Sequence, residues 1–282
     1  MSTAPAIQKR SRFSAPKDFV PWLMLSPALL AVFGIIIFPA GAAIFISMTE
    51  VNLLNLAGIK FVGFDNYLSI LGSEVFYKAL RTSLIWTFGN VAVQLGMGII
   101  GALILNQAFK ARGFFRGLVL LPWATPSVLI ALMWMWILDP NLGLFNKLLQ
   151  NMGLQDQPVA WLSTTETALP SLMFIDIWQG IPFFTVMILA ALQGVPKEQI
   201  EAAKIDGANA WQIFWNVVFP TILPTILITT ILRLIWTANY FDLILILTVG
   251  GPANSTLTVP MHAYITAYRG LDFGAGTAIA VI

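Results

Sequence analysis

The feature that most limits what this chain can fold into is the recurrence of apolar runs long enough to cross a bilayer: Val20 to Met48, Ala79 to Leu105, Leu118 to Leu138, Pro170 to Gln193 and Thr221 to Val249. A helix of about 20 apolar residues spans a hydrocarbon core of about 30 Å. A sixth run begins near Phe273 and offers only about 10 apolar residues before Ile282, so a last helix cut short is expected. With 58% hydrophobic and 10% charged residues, the composition excludes an apolar core wrapped in a polar surface. The expected fold class is therefore an all-α polytopic membrane protein of about six transmembrane helices, one domain over 20–282 behind a tail of 1–19. Zero cysteines exclude disulfides and thiolate metal sites.

Orientation follows from the cationic side chains, which short loops retain on the cytoplasmic side. The tail carries Lys9, Arg10, Arg12 and Lys17, and the loop after the second run carries Lys110, Arg112 and Arg116 without an acid. Both are expected inside, which puts 50–78, 139–169 and 250–270 outside and returns 194–217 to the cytoplasm. The first apolar run is about twice the length of a signal-peptide core, which favours an uncleaved first span.

The segment 194–220 is a polar island in this apolar chain. Pro196 suits a first helical position, Glu198 lies where a carboxylate favours the helix dipole, and Gly207 suits the left-handed residue past a helix end. Asn209 followed three residues later by Gln212 reads as a capping box opening a second helix, with Trp211, Ile213, Phe214, Trp215, Val217 and Val218 on its apolar side. An interfacial helix pair on the inner leaflet is the plainer reading of such a segment. The order Glu201-Ala202-Ala203-Lys204-Ile205-Asp206-Gly207-Ala208, then Phe214 and Pro220, resembles the EAA loop of importer-type ABC transporter permeases.

That resemblance implies a type I ABC importer transmembrane domain, in which the loop is a coupling helix docked in a cleft of a separate ATPase. Carried onto this chain, Glu201 makes a charge contact with the ATPase, Ala202 and Ala203 allow close packing, and Gly207 supplies the bend between Asp206 and Ala208. A second mark follows the fifth run. Thr248-Val249-Gly250-Gly251-Pro252, with Asn254-Ser255-Thr256, Tyr268 and Phe273-Gly274 beyond it, resembles sugar-uptake permeases similar to the larger membrane subunit of the maltose transporter. The resemblance implies two ATPase subunits, a second related permease in a heterodimer, an extracytoplasmic solute-binding protein and a lipid bilayer as partners, with no nucleic acid and no cofactor. It also implies transport by alternating access without covalent catalysis.

The chain itself excludes several other classes. No Gly is followed by Lys, so a phosphate cradle of the G-x-x-x-x-G-K-[ST] type is absent. His262 is the sole histidine, which leaves no zinc motif and no histidine-based triad, and it reads best as a solvated or interface residue. Polar residues inside the runs point to a substrate path, because they are costly there unless they face a cavity or a partner. Asp176 and Gln179 share a helix face with Trp178 beside them, and Arg233, Trp236 and Tyr240 share another with Asn239 adjoining. At 1.5 Å per residue, Asp176 lies about 9 Å from the outer start of its run and Arg233 about 18 Å from the inner start of its own, at similar depth. They can therefore pair, either in a sugar path or simply as glue between helices. Asp242 lies about 13 Å further along the axis and on the opposite face, which suits an outer gate or a contact with the binding protein.

Gly96, Gly98 and Gly101 read as helix-packing positions, and Pro27, Pro39, Pro122, Pro126 and Pro182 as tolerated kinks. The function expected is translocation of a di- or oligosaccharide. A glycerol-phosphate or polyol permease is the alternative within the family, and an ion-driven carrier the alternative outside it, although no internal repeat of the kind carriers show is visible.

Overall fold

The computed structural model describes residues 19–52 and 59–282. The tail with Lys9, Arg10, Arg12 and Lys17 lies outside the described residues. The first span is α1 (Phe19–Val32) and α2 (Phe38–Ser47), joined by a π-helical turn at Phe33–Ile37. Pro39 cannot donate to the carbonyl four residues before it, and the wide turn just ahead of it closes instead on the Phe38 N–H to Phe33 O bond. At the far end of this span, β1 (Thr49–Glu50) pairs antiparallel with β2 (Lys60–Phe61), with Thr49 opposite Phe61. The short α3 (Asp65–Leu71) follows and leads into α4 (Glu74–Asn106), a continuous helix of 33 residues.

Next come α5 (Arg112–Ala124) and α6 (Ser127–Ile137). The third span expected over Leu118–Leu138 is instead this pair, bent by 92°. The cause lies at Thr125-Pro126: the residue before a proline is driven out of the helical region, and Thr125 sits at φ −81° and ψ 132°. Pro126 is thus a break, a larger departure than the tolerated kink its sequence context suggested.

The chain continues through α7 (Leu144–Asn151), α8 (Ala168–Gln193), α9 (Lys197–Ile205) and α10 (Ala210–Ile213). A second π-helical turn, Phe214–Val218, precedes α11 (Phe219–Asn239) and again stands just before a proline, Pro220. After a break at Tyr240-Phe241 come α12 (Asp242–Leu247), α13 (Val259–Tyr264) with a π-helical extension to Arg269, and α14 (Phe273–Val281). Residues 259–269, expected in an outer loop, are helical and pack inward through the buried Met261, Ala263 and Ala267. Among the described residues four helices are long and apolar enough to cross a membrane, or five if the bent pair counts as one span.

The core is built on α4 against α8. A Cβ on Gly98 would lie 2.3 Å from the Phe184 Cβ, and one on Gly101 would lie 2.8 Å from the Thr185 Oγ1, so the helices meet at their backbones. Gly96 meets nothing within 4 Å and is no part of this contact. Towards the end bearing Lys110 and the polar island, hereafter the basic end, Val91, Ala102, Leu105, Phe184, Ile188 and Ile222 form one apolar cluster. Towards the opposite, far end, Trp86, Ile130, Leu172, Ile175, Leu243 and Met261 form another.

The far-end loops are tied by the buried Asn146. Its amide donates to Pro140 O and Val159 O, and its oxygen accepts from the Trp161 indole at 2.8 Å. The Gly250-Gly251-Pro252 turn is held by Thr256, whose hydroxyl donates to Gly251 O at 2.8 Å.

Candidate functional site

Two sites emerge, one at the basic end and one between the clusters, and a single helix connects them. At the basic end α9 closes in a Schellman motif: Ala208 N–H donates to Ala203 O and Gly207 N–H to Lys204 O, each at 3.0 Å. The motif needs one left-handed residue, and Gly207 takes it at φ 82°. Asn209 then opens α10 with both halves of a capping box in place, the Gln212 N–H donating to Asn209 Oδ1 at 3.0 Å and the Asn209 N–H to Gln212 Oε1 at 2.8 Å. Pro196 is the N-cap of α9, so Lys197 and not the proline holds the first helical position.

Ala202, Ala203, Asp206 and Pro220 line one groove of about 440 Å³ between α9 and the start of α11, with Gln199, Asn216, Val217 and Thr221. Glu201 is exposed on α9 outside that groove. Phe214 is half-buried against Trp215 and Phe219 and does not line it either. Beside the groove stand unusually bare apolar groups, Ile205 at 86% exposure and Trp211 at 71%. Large apolar side chains presented this openly on a polar helical hairpin mark a surface suited to a partner.

The second site lies within the membrane-spanning helices. Arg233 on α11 reaches Asp176 on α8, with Nη2 to Oδ1 at 3.5 Å. Gln94 on α4 ties the two together: its Oε1 accepts from Arg233 Nε at 2.8 Å while its Nε2 donates to both Asp176 Oδ2 and Asp176 O at 2.9 Å. Gly180 makes room for this clamp, since a Cβ there would fall 2.3 Å from the Gln94 Cδ and 2.5 Å from the Arg233 Nη2. Asp176 is 1% exposed and Arg233 11%, so the carboxylate stands behind the guanidinium and neutralises it out of water.

In front of the pair is a cavity of about 130 Å³ lined by Trp123, Asp176, Gln179, Arg233, Trp236, Thr237 and Tyr240. The Tyr240 hydroxyl donates to Gln179 Oε1 at 3.2 Å. Of the eight residues read from sequence as a path, five therefore meet here. The other three do not. Trp178 turns into the core edge-on to Trp134 at 5.7 Å, Asn239 donates back to Ile235 O, and the exposed Asp242 opens α12.

Gln94, Trp123 and Thr237 were missed. Gln94 carried a signal, being an uncharged polar residue deep in the apolar run Ala79 to Leu105, and the rule applied to Asp176 applies equally to it. Trp123 carried none, because a tryptophan in an apolar run is unremarkable and only the packing of α5 on α8 brings it to the cavity.

The arrangement can pass mechanical work along one path. α10, the π-helical turn and α11 run without interruption from the capping box at Asn209 to Asn239, so one continuous helix joins the groove to Arg233 and Trp236. Known proteins match this architecture throughout. The family model for the binding-protein-dependent transport system inner membrane component matches residues 94–282, which contain both the loop and every residue lining the cavity.

A probable ABC transporter permease protein of Sinorhizobium fredii is 36% identical over 282 residues, covering 99% of this chain and 89% of its own length. The trehalose/maltose transport system permease protein of Thermococcus litoralis is 34% identical over 261 residues, covering 93% and 87%. The crystal structure of a bacterial alginate ABC transporter, in complex with alginate pentasaccharide-bound periplasmic protein, includes a chain of the same fold. That chain is 23% identical, with a TM-score of 0.80 over 94% of this chain and 88% of that one. The chain belongs to the binding-protein-dependent transport system inner membrane components, and is a membrane-spanning permease of an ABC importer with carbohydrate permeases among its relatives.

Proposed function

We propose that this permease carries a di- or oligosaccharide inward by alternating access, driven by two separate ATPase subunits. A second related permease completes the pathway, and an extracytoplasmic binding protein delivers the cargo. In this reading the transport domain is 20–282, the tail of 1–19 is cytoplasmic, and so is the basic end. Glu201 makes the charge contact with the ATPase, and the groove of Ala202, Ala203, Asp206 and Pro220 takes up its surface.

The observation that carries the reading is the unbroken path from that groove to Arg233. Nucleotide-driven closure acting on the hairpin would be delivered to the cavity with no flexible linker between them. A sugar suits the cavity because indole and phenol rings can face the apolar surfaces of a pyranose while Gln179, Tyr240 and Arg233 meet its hydroxyls. An anionic cargo suits it less, because Asp176 already neutralises the charge of Arg233.

The test is uptake by the complex, purified from its native membrane and reconstituted in vesicles with ATP on the side of the coupling loop. Labelled disaccharides and short oligosaccharides should accumulate, and a glycerol-phosphate diester should not. Accumulation of the diester in preference to sugars would overturn the sugar assignment while leaving the importer standing.

A further inference from the structure

A second groove, of about 380 Å³, opens at the far end between α6, α7 and α8, walled by Leu138, Phe145, Leu149, Trp161 and Phe174. It faces away from the clamp, because Phe174 stands two residues from Asp176 and so about half a turn round α8. Its aromatic walls are braced. Phe145 meets the Trp161 ring edge-on at 5.1 Å, and Phe174 meets Trp134 edge-on at 5.5 Å.

The polar groups along this far-end groove are already engaged. The Trp161 indole donates to Asn146 Oδ1, and the Thr167 and Ser171 hydroxyls both donate to Trp161 O, at 2.7 and 3.3 Å. Little is left to meet the hydroxyls of a sugar, and the interior suits an apolar ligand. The exception is Glu166, which joins the lining just ahead of α8. Its carboxylate accepts from the Thr165 hydroxyl, which holds it below the usual carboxylate range and therefore charged. The one ion pair among the described residues is that of Arg233 with Asp176, so no cation among them pairs with Glu166.

The depth of the groove matches a lipid. Glu166 lies just outside the start of α8 at Ala168, and Phe174 lies about 9 Å further along that helix. In a hydrocarbon core of about 30 Å this distance stays within one leaflet, with the charge at the level of the headgroups and the rings at the level of the acyl chains. Leu144, Leu148 and Met152 recur at helical spacing and stand exposed beside Phe145 and Leu149, so the apolar surface continues outward from the groove.

We propose that the far-end groove binds a phospholipid with a primary ammonium headgroup, its ammonium on the Glu166 carboxylate and one acyl chain against Phe145, Leu149 and Phe174. A soluble partner is the poorer occupant, because the groove descends along α8 into the bilayer and only its rim carries charge. Once occupied, it joins α6, α7 and α8 behind the clamp, and a ligand bound only to the folded state stabilises that state. The site is independent of the cargo, so a complex that carries no sugar still tests it.

The test uses the complete complex in phosphatidylcholine vesicles containing a trace of phosphatidylethanolamine or of phosphatidylglycerol, each with the same photoreactive group on one acyl chain. After illumination, labelled residues are mapped by mass spectrometry and normalised to the label on α1, whose exposed apolar side chains report unselective contact. The ethanolamine lipid should label residues 138–174 about threefold more than the glycerol lipid, the scale of a surface ion pair. Glu166→Gln should remove that difference without changing assembly, and Leu149→Trp, which fills the groove, should lower the label from the ethanolamine lipid there and leave that on α1. Equal labelling by the two lipids in the parent, or a preference that survives Glu166→Gln, would overturn the proposal. So would p-benzoylphenylalanine at position 149 that crosslinks to the second permease or the binding protein, since a protein would then fill the groove.

Discussion

Asp176, Arg233 and Gln94 show how a membrane interior holds charge. Separating a buried pair leaves an uncompensated ion and costs about 3–5 kcal/mol, so the weight of the site falls on whatever keeps the pair together. Here that is Gln94, and behind Gln94 the missing side chain at Gly180. Gly180→Ala would push a methyl group into the Gln94 amide and the Arg233 guanidinium at once. Overpacking of this kind costs about 1–3 kcal/mol. The variant should lower the melting temperature of the purified complex and reduce sugar uptake, with nucleotide binding by the complex unchanged. Normal uptake together with an unchanged melting temperature would contradict the clamp.

At the scale of elements, the helical hairpin of α9 and α10 is specified locally to an unusual degree. The Schellman closure at Gly207 and the capping box of Asn209 with Gln212 each use backbone groups within a few residues, so both were legible in sequence, as were the long helices α4, α8 and α11. Gly207 has open space where a Cβ would go, so substitution there is opposed by its φ of 82° and by no clash. Gly207→Val should therefore cost about 1–3 kcal/mol of local strain and abolish transport, while Gly207→Asn, which visits the left-handed region more readily, should keep a measurable share. Equal loss in both variants, measured as uptake at matched membrane levels, would mean that bulk at the docking surface matters and backbone shape does not.

Elements fixed by non-local contacts escaped sequence reasoning. The 92° bend at Thr125-Pro126 looked like one more tolerated proline because a kink and a break share the same local signal, and the packing of α6 against α12 settles which occurs. Residues 259–269 read as loop since their helix is short. It is fixed by burial of Met261 and Ala267 and not by a span-length apolar run. The same division runs through the cavity. Asp176, Gln179, Arg233, Trp236 and Tyr240 could be found as costly or aromatic residues at helical spacing, whereas Trp123 enters only through the packing of α5 on α8.

For the whole molecule, the central claim is that the loop around Glu201 couples this permease to an ATPase on which its transport depends. α1 and most of α2 expose large apolar side chains almost throughout, Met24 at 77% among them, as expected of helices bathed in lipid. The measurement that tests the claim most directly is affinity purification of the chain from its native membrane, with ATPase assay and identification of the subunits that accompany it, for the parent and for Glu201→Lys side by side. The account predicts that an ATPase and a second permease accompany the parent, that hydrolysis is measurable, and that Glu201→Lys loses the ATPase while keeping the second permease. A chain that purifies without an ATPase, or one whose ATPase is retained in full by Glu201→Lys, would contradict it.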